Sequence, residues 1–160
     1  MRLVVADTSP VFYLLSIDQI DLLPQLFGKV FVPDAVRKEL CHPATAALVR
    51  EWTVRLPGWV ELISVEPLDD AALRPLGAGE REAITVAISM RADLILIDER
   101  KGRQVALDKG FVVAGTLGVL ALAARRGLVD LADAFARLKR TNFRYRPAIM
   151  DALLDQNSRE

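Results

Sequence analysis

Short apolar runs recur along the chain, and stretches with helical spacing separate them. Leu3-Val4-Val5-Ala6 stops at Asp7-Thr8-Ser9-Pro10, a strand followed by helix-start residues. Val11 to Ile17 predicts a helix with Pro10 in its first turn. Asp18 to Phe27 predicts a second, ended by Gly28, with Pro24 inside its pattern. Val30-Phe31-Val32 is a short strand stopped by Pro33-Asp34, and Ala35 to Leu40 and Ala44 to Trp52 predict two helices either side of His42-Pro43. Val60 to Val65 alternates, as an edge strand does.

The second half repeats the scheme more plainly. Gly79 to Met90 predicts a helix, and Leu94 to Ile97 is wholly apolar, like a parallel strand buried on both faces. Arg100 to Lys109 predicts a helix closed by Gly110, and Phe111 to Ala114 a further buried strand. Helices follow at Thr116 to Arg126, Val129 to Arg140 and Pro147 to Leu154. This alternation predicts an α/β domain with a parallel sheet and helices on both sides.

The 160 residues fit one domain, expected over positions 1–155 with a short tail at 156–160. A hydrophobic fraction of 52% against 26% charged excludes global disorder. Twenty-one basic and twenty-one acidic residues cancel, which excludes a globally basic nucleic-acid binder and leaves room for a local patch. With one cysteine, Cys41, and one histidine, His42, neither an internal disulfide nor a Cys/His zinc site can form. No segment is long and apolar enough for a membrane span, and the first apolar run is too short for a signal-peptide core. A cytoplasmic protein without a membrane partner is therefore expected.

Ligands of open parallel sheets bind outside the carboxyl ends of the strands. Asp7 directly follows the first strand, and Asp98 and Glu99 directly follow Leu94–Ile97. Glu80 opens the helix leading into that later strand, and Glu39 lies in the helix after Val30–Val32. Crowded carboxylates repel and raise one another's pKa, a conflict that a divalent cation removes. Oxygen-only ligands select Mg²⁺ or Mn²⁺ over zinc. Taken singly, each residue has an ordinary reading. Asp7 reads as a helix cap, Glu80 as a complement to the helix dipole, Glu39 as a solvated face residue and Glu99 as part of a surface turn. Their shared destination is what points to a site.

These pieces resemble the small prokaryotic PIN-domain family. The matching residues are Val4-Val5-Ala6-Asp7-Thr8-Ser9-Pro10, Val32-Pro33-Asp34-Ala35-Val36 through Glu39-Leu40, and Gly79-Glu80-Arg81-Glu82-Ala83-Ile84. Ala92 to Glu99, Gly102-Arg103 and Val113 to Leu120 complete the ordered set, which runs from residue 1 to about residue 155. The resemblance implies a three-layer α/β/α sandwich around a mostly parallel sheet, and a Mg²⁺- or Mn²⁺-dependent ribonuclease. It carries catalytic roles to Asp7, Glu39, Glu80 and Asp98, with Asp7, Asp98 and Glu80 as metal ligands. Thr8, Ser9, Glu99 and Arg103 would support them. Many family members have aspartate where Glu80 stands. The resemblance also implies a homodimer, and by analogy a toxin of a type II toxin–antitoxin pair with an antitoxin partner. The alternative is a catalytically silent PIN-like module that binds RNA or protein.

Arg125 to Arg146 carries seven basic and two acidic residues, a local charge of +5, with Phe143 and Tyr145 interleaved. Arg137, Lys139, Arg140, Arg144 and Arg146 thus form a candidate RNA track. The same pattern also describes a solubilising helix face followed by an aromatic core anchor. Arg103 has two readings as well, a phosphate contact or an ion pair with a site carboxylate. Cys41 is expected as a small buried hydrophobe, and His42 as a local turn residue.

Overall fold

The computed structural model describes residues 2–159. Its strands β1 (Val4–Ala6), β2 (Val30–Pro33), β3 (Val60–Ile63), β4 (Leu94–Leu96) and β5 (Val113–Ala114) form one sheet in the order β3-β2-β1-β4-β5. All four pairings are parallel. The helices are α1 (Thr8–Ser16), α2 (Leu22–Phe27), α3 (Asp34–Leu40), α4 (Ala47–Val54), α5 (Ala78–Met90), α6 (Arg100–Asp108), α7 (Thr116–Arg125), α8 (Leu131–Lys139) and α9 (Pro147–Ser158).

Strand alternation divides the core in two. Val4, Ala6, Leu94 and Leu96 face one side, where α1, α2, α3, α7 and α8 bury their apolar stripes. Val5, Ile95 and Ile97 face the other, against Ala83, Ile84 and Ala87 of α5 and Ala106 of α6. The central strands are therefore apolar at every position, because neither face meets water. The result is the three-layer α/β/α sandwich that the sequence predicts.

Several boundaries differ from the sequence reading. The helix expected over Asp18 to Phe27 begins only at Leu22, because Asp18 takes the left-handed conformation (φ 59°), which aspartate tolerates in a turn but not within a helix. Phe111 to Ala114, expected as a buried strand, is a two-residue strand at the sheet edge, half-buried, with Val112 60% exposed. It has no neighbouring strand on its outer side. The last helix passes the expected end at Leu154 and continues to Ser158.

Strand order places the site. The chain steps from β1 to β2 and β3 on one side, then returns to add β4 and β5 on the other. The connections leaving β1 and β4 diverge at this switch point, which opens a crevice at their carboxyl ends. The two strands pair in register from Val4–Leu94 to Ala6–Leu96, so Asp7 comes level with Ile97 and Asp98 follows one residue later at the same edge.

Candidate active site

Asp7 is the first residue beyond β1. Its backbone N–H donates to the Leu96 carbonyl at 2.8 Å, which extends the ladder and seats the residue against β4. It stands at the N-cap of α1, yet its side chain makes no capping hydrogen bond. The helix-cap reading of this side chain therefore fails. Asp7 is 3% exposed, and its Oδ1 is buried without any partner. Burial, then the charges of Glu80, Glu39 and Asp98, push its pKa from 3.8 up to about 8, against a smaller opposing effect of the Thr8 N–H.

Glu39 approaches from α3. Its Oε2 accepts from the Thr8 hydroxyl, and its Oε1 accepts from the Gly79 N–H at 3.0 Å. Gly79 is the meeting point of two carboxylates. A Cβ there would lie 2.8 and 2.9 Å from the Glu39 oxygens and 2.9 Å from Oδ1 of Asp7. Only a residue without a side chain lets α5 start this close to both acids.

Asp98 is oriented more firmly. Its Oδ1 accepts from the Thr116 N–H at 2.6 Å, and its Oδ2 accepts from the hydroxyls of Thr116 at 2.6 Å and Ser9 at 2.7 Å. Thr116 is fully buried at the start of α7, whose N–H groups and dipole favour an anion. A Cβ on Gly115 would stand 2.6 Å from Oδ1 of Asp98 and 3.1 Å from Nη1 of Arg103. Arg103 therefore lies in the cleft wall beside Asp98. It makes no ion pair among the described residues, so its paired reading does not hold in this structure.

Glu80 lies in the first turn of α5 with Oε2 turned back toward Gly77. Burial, followed by the charges of Glu39 and Glu99, raises its pKa, against its own N–H. Glu99 lies near enough to Glu80 for its charge to be felt there. It caps α6, with Oε2 accepting from the Gly102 N–H at 2.7 Å.

The basic segment is divided in its roles. Arg137 pairs with Asp133 at 3.1 Å and donates to the Ile17 carbonyl at 3.5 Å. Lys139 lies 5.9 Å over the Tyr145 ring. Phe143 packs against the main core, edge-on to Tyr13 with centroids 4.9 Å apart. Arg140, Arg144 and Arg146 are exposed and take part in no ion pair among the described residues. Cys41 is half-buried rather than enclosed, and His42 accepts from the Ala44 N–H at 3.0 Å in a local turn.

Sequence reasoning overlooked the residues that hold the acids, namely Thr116, Gly79 and Gly115. The signal for Thr116 is a polar residue one glycine after an apolar strand, beside the strand that ends at Asp98. Among the described residues, no three acidic, histidine or cysteine side chains are gathered closely enough to hold a metal ion. The structure instead offers two carboxylates meeting at Gly79, one of them with an orphaned buried oxygen. That pairing fits a hard cation that binds through one or two carboxylates and keeps several waters. No helix is long and apolar enough to cross a membrane among the described residues. In comparisons with known proteins, no curated protein matches the chain. The profile of a family described as a PIN domain matches residues 3–159.

Proposed function

We propose that this chain, which belongs to the PIN-domain family, is a divalent-metal-dependent endoribonuclease that hydrolyses RNA phosphodiester bonds. PIN domains are typically nucleases, which supports the hydrolase class. The observation that carries the reading is Oδ1 of Asp7, buried, unpartnered and set against the Glu39 carboxylate at the sheet's switch point. A carboxylate left in that state is costly unless a cation or a proton occupies it.

Asp7 and Glu39 would hold the metal, with Asp98 and Glu80 next to them. A Mg²⁺ or Mn²⁺ ion held there would supply the Lewis acidity that a phosphoryl oxygen and an attacking water need at neutral pH. Thr8 and the Gly79 N–H fix Glu39, while Ser9 and Thr116 fix Asp98, so both carboxylates stay oriented through turnover. Asp7 must give up its proton before it serves as a ligand, so metal binding releases a proton at neutral pH. Arg103, which makes no ion pair among the described residues, would donate to a phosphate oxygen beside Asp98. Water adds to phosphorus, the bond to the 3′ oxygen breaks, and that oxygen leaves protonated. The ends are then 5′-phosphate and 3′-hydroxyl, by analogy with the family. A toxin role with an antitoxin partner belongs to the same proposal and rests on the same analogy.

The open arrangement of the acids favours a second reading, a silent module that binds RNA or protein. Thermal unfolding during a manganese titration separates the two. The nuclease reading expects the wild type to gain stability and the Asp7→Asn, Asp98→Asn double variant to gain none. Equal gains in both contradict it.

A further inference from the structure

Tyr13 of α1 holds the connection between α8 and α9 beside the acidic crevice. The Tyr13 hydroxyl donates to Oδ1 of Asn142 at 2.8 Å, and its ring meets Phe143 edge-on at 4.9 Å. Phe12 closes the other side of the ring at 5.0 Å. Ser9, four residues earlier on the same helix, donates to Asp98. Residues i and i+4 share a helix face about one turn apart, so the surface that touches Asp98 continues directly into the surface that holds Asn142 and Phe143. Arg144 is the next residue of the anchored segment, exposed and outside every ion pair among the described residues.

Two electrostatic effects meet at the same phenol. Burial and then the charge of Asp98 raise the Tyr13 pKa, while Arg144 lowers it. The cation and the carboxylate thus both lie near that hydroxyl. The other basic residues of the segment differ in kind. Arg137 is engaged by Asp133 and Lys139 by an aromatic ring. Arg140 and Arg146 lie at helix ends, with no described contact linking them to α1.

We infer that the segment latched by Tyr13 is a phosphate subsite of the crevice, with Arg144 gripping the backbone of single-stranded RNA next to the phosphate that is cleaved. The inference rests on the nuclease reading and goes further by naming the group that holds the substrate's backbone. An arginine suits the task, because its planar fork meets two phosphate oxygens at once. Tyr13 and Asn142 are positioning residues. They fix the backbone that carries Arg144 and touch no substrate.

The experiment is binding of a fluorescein-labelled single-stranded oligoribonucleotide in calcium, across a salt series. Each phosphate contact adds about 0.7 to the slope of log affinity against log salt for a single strand. Arg144→Ala is expected to weaken binding and to reduce the slope by about that amount, whereas Arg144→Lys retains most of it. Arg140→Ala keeps the wild-type slope. Tyr13→Phe keeps the ring packing and loses the donor to Asn142, so its slope falls part of the way. An unchanged slope in Arg144→Ala, or an equal fall in Arg140→Ala, overturns the subsite. An unchanged slope in Tyr13→Phe overturns the latch. Manganese-induced stabilisation is measured on the same samples. If it persists while the Arg144→Ala slope is unchanged, only the subsite falls. If the wild type shows neither stabilisation nor RNA binding, the nuclease reading falls as well.

Discussion

Replacing Asp7 with asparagine removes a buried negative charge while keeping the side chain's shape. Well below pH 3.8 the aspartate carries a proton in the folded and unfolded chains alike, so the substitution changes little. Between the ordinary value of 3.8 and the folded value of about 8, the unfolded chain releases the proton and the folded chain keeps it. The metal-free wild type therefore loses stability as pH rises through this window, and above it the penalty is complete. At about 1.4 kcal/mol per pH unit, the window caps the penalty at about 6 kcal/mol. A domain of this size shifts its melting temperature by about 2–4 °C per kcal/mol. Thermal melts in EDTA are expected to agree within about 1 °C at pH 3, and at pH 8.5 the Asn variant melts at least about 5 °C higher. A gap independent of pH, or a less stable variant at pH 8.5, refutes the account of Asp7 as a strained, unpartnered acid.

Gly79→Ala forces a methyl group within 2.9 Å of Asp7 and Glu39 oxygens, and is expected to cost about 1–3 kcal/mol and nearly all cleavage, read by chemical unfolding and an RNA assay. Thr116→Val removes one of two hydroxyls from Asp98 and keeps the backbone donor, so stability drops by about 1 kcal/mol and turnover falls with little change in RNA affinity. On α4, Leu48 and Val54 are 59% and 77% exposed, and we expect a homodimer in sedimentation at micromolar concentration. Monomer alone would remove that expectation.

Much of the architecture is legible in the sequence because both faces of β1 and β4 are buried. That burial leaves unbroken apolar runs ending at Asp7 and Asp98. The switch point then follows from strand order, which the apolar pattern alone does not contain. Left-handed Asp18 was hidden, because the apolar spacing from Ile17 to Phe27 continues across it with a helix-like period. The edge position of β5 was hidden too, since Val112-Val113 reads the same beside one neighbour or two. At the site, the acids were legible from type and position. Their holders were not, because Gly79 and Gly115 act through the side chain they lack, and Thr116 looks like any helix-start residue. The basic segment misled in part. Charge counting cannot tell Arg137, tied to Asp133, from the unpaired Arg144.

The central claim is that a metal held among these carboxylates cleaves RNA. Its most direct test is the cleavage of end-labelled single-stranded RNA by wild type and Asp98→Asn, with manganese and with EDTA, after both proteins are shown to melt cooperatively. The account predicts internal cuts bearing 5′-phosphates for wild type in manganese, none in EDTA, and none from the variant. Cleavage by Asp98→Asn at the wild-type rate, or wild-type cleavage that survives EDTA, would contradict it.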